Sequence, residues 1–356
     1  MRSIRWIGLL TLAGCTITAL GQAPPQGAAS PRPSHTAELQ LSASLAHARE
    51  LLEHGNSDAA LAELQQLDAS NPDLKGLAHE LGVAYYKKSN FPKAIDYLKK
   101  ALAQDPDDKE GAQLLGLSYY LSGRPSEAIP YLEKVQGWYP VANVDASYIL
   151  GVSYIQKKDY PSARKAFGRM FDQPADSAAS YLFTARMLLR QEFEPIAEEY
   201  AQKAAALDPK LPLAHFLLGE LFMFKSQIPE AIGEFQIEMA INPAYAATYY
   251  KLADAYSRVQ KFDDAERLLQ RSIWLDSTAS GPYVLMAKVL LKKGEAELSA
   301  RAAQRALSMD SNNYVAHYLL GQAYQALGNR GAADNEFKIS QELQARQTHS
   351  LEEMNK

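Results

Sequence analysis

The 356-residue chain has a single cysteine, Cys15. An intramolecular disulfide and a cysteine-built metal cage are therefore excluded. Basic charge is not in excess either: 37 Lys and Arg stand against 41 Asp and Glu, a formal net charge of −4. That balance lacks the electrostatic footprint of a nucleic-acid binder. Histidines number seven, and none stands in an H-E-x-x-H motif or another metal-ligand spacing. His47 and His54 are seven apart and can share a helix face, but no third ligand accompanies them. A glycine-rich phosphate loop is missing; "GNRG" from Gly328 reads as a turn between helices. "GLSYY" at Gly116 and "GVSYI" at Gly151 are not nucleophile elbows, because their serines fall within helical pattern. Carboxylates are spread over polar helix faces with no pair set apart as an acid/base couple. These absences predict a protein that is not an enzyme and takes no metal or cofactor.

Long apolar runs are also absent, with one exception. "WIGLLTLAGCTITAL" (residues 6–20) follows the two arginines of "MRSIR" and precedes a Pro-, Ala- and Ser-rich stretch. This order is that of a secretory signal, and fifteen residues are few for a spanning helix, which needs about 20. Residues 1–21 are read as the signal and 22–38 as a flexible linker. Three fates fit. Ala19 and Gly21 give the small-x-small spacing for cleavage before Gln22. "LAGC" at Leu12–Cys15 resembles a bacterial lipobox, in which Cys15 would be lipidated and lead the mature chain. The segment could also stay as an uncleaved anchor. Each predicts export, to the periplasm or beyond, with membrane contact only through the anchor or a lipid at Cys15.

What the chain does have is a period. "LGVAYYKKSNFPKAIDYLKKALAQDP" starts at Leu81, "LGLSYYLSGRPSEAIPYLEKVQGWYP" at Leu115 and "LGVSYIQKKDYPSARKAFGRMFDQP" at Leu150. Related stretches start at Leu218 and Leu320. Pro72, Pro106, Pro140 and Pro174 are 34 apart, and Pro209 and Pro243 continue the step. Alanines at 60, 94, 128, 163, 197, 231, 265 and 333 keep the same beat, with Ser299 in the remaining unit. Such a period marks a repeat array. Each unit carries two apolar stripes at i, i+3, i+4, i+7, hence two amphipathic helices. Small residues such as Gly82 and Gly151 let the two approach. Pro92, Pro125, Pro161, Pro195 and Pro229 sit where the second helix begins, a position that tolerates a missing N–H. Pro130 falls inside a second helix and predicts a kink.

The pattern Leu-Gly-x-x-Tyr, Ala-x-x-x-Leu/Phe, Pro resembles the tetratricopeptide repeat (TPR) family. It stands as Leu81, Gly82, Tyr85, Ala94, Leu98 and Pro106, and as Leu115, Gly116, Tyr119, Ala128, Leu132 and Pro140. Nine units fit: 41–74, 75–108, 109–142, 144–177, 178–211, 212–245, 246–279, 280–313 and 314–347. The fifth replaces Leu-Gly-Tyr by Thr184, Ala185 and Leu188, the eighth has Met286, Ala287 and Leu290, and the family's early tryptophan is missing throughout. The resemblance implies an all-α solenoid over residues 39–347, with a capping helix and a polar tail, 348–356. It also implies a binding scaffold whose first helices line a concave groove.

By register, the aromatic and apolar residues expected on that concave face are Tyr86, Tyr120, Tyr148, Phe216, Met223 and Tyr250, which form the candidate partner site. Val152 and Ile155, the trio Val284, Lys288 and Leu291, and the trio Tyr318, Gln322 and Gln325 share the register. Tyr85, Tyr119, Tyr154 and Tyr256 are expected in the core. The paired Lys and Asn clusters of chaperone-binding members are not found. A protein or peptide partner is expected; a glycan or cell-wall ligand stacking on the tyrosines is the alternative, and an enzyme with an unrecognised site the remote one.

Overall fold

The computed structural model describes residues 35–138, 144–191 and 194–354. The signal, its alternatives and Cys15 lie outside the described residues. The described residues form eighteen α-helices and no strand. They fall into nine consecutive pairs: α1 (His35–Glu53) and α2 (Ser57–Ser70), α3 (Leu77–Lys87) and α4 (Phe91–Gln104), α5 (Lys109–Leu121) and α6 (Pro125–Trp138), α7 (Val144–Gln156) and α8 (Tyr160–Met170), α9 (Ala178–Arg190) and α10 (Glu194–Leu207). The last four are α11 (Ala214–Phe224) and α12 (Ile228–Ile241), α13 (Ala246–Arg258) and α14 (Phe262–Leu275), α15 (Ser280–Lys293) and α16 (Ala296–Met309), and α17 (Tyr314–Ala326) and α18 (Arg330–Met354). The helices begin where polar side chains can cap them. Asp108 accepts from Gly111 N–H at 2.8 Å, Asp159 from Ser162 N–H at 3.2 Å and Asn313 from Ala316 N–H at 3.0 Å.

Within a pair, the helices close on one small residue. A Cβ on Gly82 would lie 2.6 Å from Leu98, and one on Gly151 would lie 2.3 Å from Phe167. Units one and seven carry alanine opposite leucine, Ala48 with Leu64 and Ala253 with Leu269, whereas units five and eight carry alanine on both sides, Ala185 with Ala201 and Ala287 with Ala303, all fully buried. The first helix thus keeps a small residue at this crossing in every unit, which lets the pair pack densely. The turn between paired helices places its residue in the left-handed region in every described case. Gly55, Gly123, Gly294 and Gly328 take φ of 76–81°, but Ser89, Lys158, Ser226 and Gln260 also sit there, at 57–62°. A left-handed residue with a side chain costs about 1–2 kcal/mol, of which the added freedom of unfolded glycine returns about 0.4–1. Gln260→Gly should therefore raise stability by about 0.5–1 kcal/mol in urea titration. An unchanged or lowered midpoint would show that the turn is not strained.

Units are tied to one another by a second periodic contact. The core tyrosine of a first helix receives a hydrogen bond from the residue 20 positions earlier, on the preceding second helix. Gln65 donates to Tyr85 at 2.9 Å, Gln236 to Tyr256 at 2.8 Å and Gln304 to Tyr324 at 2.9 Å. In unit four the sense reverses, and Tyr154 donates to Glu133. Tyr85, Tyr119 and Tyr154 are buried as expected, whereas Tyr256 is half-buried.

Successive first helices also pack on each other, α1 on α3, α3 on α5, α5 on α7, α11 on α13, α13 on α15 and α15 on α17; no two second helices approach so closely among the described residues. The solenoid therefore bends with its first helices on the concave side. Contacts among α7, α9 and α11 fall short of this. Next to them, α8 stops at Met170, and the chain reaches α9 through residues 171–177. Gly168 touches that loop, where a Cβ would meet the Gln173 carbonyl at 2.8 Å, and Arg164 holds it through Asp176 at 2.8 Å while stacking 3.9 Å over Tyr181.

Two expectations change. α1 begins at His35, inside the stretch read as linker, since Ala37–Gln40 favours helix. The C-terminal cap is the end of α18, which runs 25 residues and continues through residues 348–354, most of the segment read as tail. "KISQELQARQTHS" has no Asp-Pro or Asn-Pro to stop it. α6 stays helical from Pro125 to Trp138 with Pro130 inside it.

Candidate functional site

The six residues expected to form one stripe are all half-buried, but the structure divides them. Tyr86 (α3), Tyr120 (α5) and Tyr148 (α7) belong to one core cluster, along three first helices that pack in sequence. The Tyr86 ring meets Phe91 edge-on at 6.0 Å, and Tyr148 leans on the buried Phe167 at 6.3 Å. Burial raises the Tyr86 hydroxyl's pKa, and the Asp145 carboxylate adds to it. Tyr120 is likewise raised, by burial first and then by Tyr148. Asp145, exposed at the start of α7, thus lies within electrostatic reach of Tyr86. The face therefore presents aromatic surface, neutral phenol hydroxyls and one carboxylate.

Phe216 and Met223 lie in a second cluster. Phe216 is wedged between Phe235 at 5.8 Å and Tyr245 at 5.3 Å, which leaves it as much a core residue as a surface one. Tyr250 belongs to a third cluster and lies over the next unit, 3.5 Å from where a Cβ on Gly281 would be. Burial raises its pKa, and Asp254 adds to it against the opposing Lys251. Further along the first cluster, α9 offers buried Leu182 and exposed Arg186. Register overstates the stripe at two more positions: Val152 and Ile155 are buried, at 2% and 0% exposure, while Tyr318 is 49% exposed.

Five of the seven histidines have structural partners among the described residues. His47 pairs with Glu63 at 2.9 Å and His54 with the Glu50 carbonyl at 2.8 Å, so the two do not converge. His215 and His317 occupy equivalent places and bridge to Glu234 and Glu336 on their second helices, each at 2.6 Å. His79 is raised by its hydrogen bond with Asp108. No cluster of three or more metal-ligating side chains occurs among the described residues.

Sequence reasoning missed Glu238. It is fully buried on α12 and accepts from the N–H groups of Leu213, at 2.9 and 3.0 Å, and Phe216, at 3.3 Å. A carboxylate is well placed at a helix N-terminus, and here it fixes the start of α11, under Phe216. Its only signal was an acidic residue in an otherwise apolar stripe.

Comparison with known proteins matches this geometry to repeat families. Models described as tetratricopeptide repeat match residues 45–109 and 248–283, and that of anaphase-promoting complex, cyclosome, subunit 3 matches residues 87–170. The anaphase-promoting complex subunit cut9 of Schizosaccharomyces pombe is 26% identical over 152 residues, 41% of this chain and 23% of the relative. The chain thus spans under a quarter of that curated relative. Among solved structures, the APC/C hetero-tetramer Cut9–Hcn1 is 21% identical with a TM-score of 0.45, covering 81% of this chain and 58% of that one. MamA is 22% identical (TM-score 0.43; 46% and 96% covered), and YrrB, a TPR protein with an unusual peptide-binding site, is 19% identical (TM-score 0.45; 54% and 100%). With nine helix pairs in a 34-residue register closing on small residues, the chain is a tetratricopeptide-repeat protein.

Proposed function

We propose that the chain is an exported, non-catalytic scaffold for protein–protein interaction that docks a partner segment along its concave side. The observation that carries this is the run of Tyr86, Tyr120 and Tyr148 on α3, α5 and α7. Their rings are anchored by the core yet only half-buried. Rigid aromatics that keep an accessible face are the residue type that anchors interfaces. Phe216, Met223 and Tyr250 extend the surface toward the C-terminus in separate patches. Nucleic acid is not a partner in this reading, given the net charge of −4.

Two measurements on one variant test it. Tyr120→Ala/Tyr148→Ala should abolish capture of the partner recovered from envelope extract, since an anchor is worth ~2 kcal/mol or more. Its melting temperature should change little. A large fall would make these tyrosines core, where truncation costs about 3–5 kcal/mol. Intact capture with intact melting would move the site elsewhere. Export is tested at Cys15. A Cys15→Ser protein that is processed before Gln22 and soluble supports ordinary cleavage; blocked maturation, with the parent chain in detergent, supports lipidation. Retention of the parent chain in the cytoplasm would overturn both.

A further inference from the structure

The concave face of units eight and nine differs in character from the tyrosine face. A cavity of ≈ 400 Å³ opens between α15 and α17, lined by Lys288, Leu291, Lys292, Leu319, Gln322 and Gln325. Lys288 and Lys292 are one helical turn apart, both exposed, and neither has an ion pair among the described residues. Lys293, by contrast, points away into a cluster with Asp263, Glu266 and Glu295 at 2.6–3.1 Å. No carboxylate lines the cavity. The acid nearest in register, Asp254 on α13, is held by Arg258 at 3.0 Å. Opposite the lysines, Gln322 donates to the Tyr318 hydroxyl at 3.3 Å and Gln325 is exposed. Tyr318 is anchored on Phe337 at 5.6 Å and nearly half exposed. Two ammonium groups and an apolar floor, with no competing anion in the lining, form a surface complementary to side-chain carboxylates flanking an apolar residue.

We propose that this cavity is a docking subsite for an acidic peptide segment of a partner protein. It rests on the reading of the concave side as a partner surface, and it names the chemistry at one end of that surface. Leu291 and Leu319 would take an apolar side chain, and Lys288 and Lys292 the carboxylates on either side of it.

The test is selection from a random dodecapeptide library displayed on phage, each peptide fused through its C-terminus so that only side-chain carboxylates are offered. The full repeat array and its Lys288→Glu/Lys292→Glu variant serve as baits. Asp- and Glu-rich peptides should be enriched on the parent protein and lost from the variant. A synthetic, C-terminally amidated copy of an enriched peptide should bind the variant at least about tenfold more weakly. Its binding to the parent should weaken as NaCl rises from about 50 to about 500 mM. The neutral Lys288→Gln/Lys292→Gln protein, expected to lie between the two, keeps the test open if charge reversal disturbs folding. Enrichment without acidic bias, no enrichment, or equal binding by parent and variants would overturn the proposal. Acidic peptides retained by Tyr120→Ala/Tyr148→Ala protein would support this subsite even if the tyrosine face fails as a partner surface.

Discussion

Removing residues 280–313 should leave a folded, shorter rod. The excision joins Ala279 to Tyr314 and brings α17 into the place of α15. The face of α14 around Leu269 now packs on Leu285, Met286 and Val289. One unit on, α17 offers Leu319, Leu320 and Ala323 at the same register, two of them close in volume. The inter-unit hydrogen bond is also restored: Tyr324, now served by Gln304, would meet Gln270, which at present bonds Glu266 at 3.0 Å. Stability in such an array is a sum of unit and nearest-neighbour terms, so one lost unit costs its own share and little more. The Val289-to-Ala323 exchange adds a small cavity, about 1–2 kcal/mol. Removing only residues 280–296 should behave differently. It would set α16 against α14, two second helices whose small faces were built for first-helix partners, and everything C-terminal would lose its register. The measurements are circular dichroism, hydrogen exchange and small-angle scattering. The first deletion should keep helicity per residue and the second should lose protection across units eight and nine. Equal disruption by both would mean that the units are not interchangeable.

The second large effect concerns Gly151 and Phe167. Gly151→Ala puts a methyl 2.3 Å from a fully buried ring. Overpacking of this kind costs typically 1–3 kcal/mol, against which alanine's better helix propensity returns up to about 1. Phe167→Ala alone opens a cavity worth about 3–5 kcal/mol. The double substitution recreates the Ala–Ala pairing found at Ala185/Ala201 and Ala287/Ala303, where the helices already close on two small residues. Its cost should fall below the sum of the single costs by about 1 kcal/mol or more, read from urea midpoints. Strict additivity would mean that the pair does not share one packing site.

Much of this protein was legible before any fold was seen. The 34-residue step, the prolines that open second helices, and the small residues at Gly82 and Gly151 are all local in origin. Each follows from what one helix, one turn or one close approach permits, and nine repetitions remove the ambiguity that one would leave. The left-handed turns at Ser89, Lys158, Ser226 and Gln260 were less visible, because only the equivalent position in other units carries the glycine that would announce them.

The candidate site was legible only as a register. Tyr148, Phe216, Tyr250 and Tyr318 stand at the same place in their units, yet one leans on a core ring, one is wedged between two others, one covers the next unit and one is nearly half exposed. Ile155 shares the register of Tyr86 and Tyr120 and is fully buried. The sequence of a unit determines that its helices pair and that a residue faces inward. How far that residue remains open depends on how closely the next first helix approaches. The loop at residues 171–177, the buried Glu238 carboxylate and the unpaired lysines of α15 are each set by neighbours distant in the chain. Helix formation and register are local and were written residue by residue; exposure and charge pairing are properties of the stacked array, and only the tertiary structure decided them.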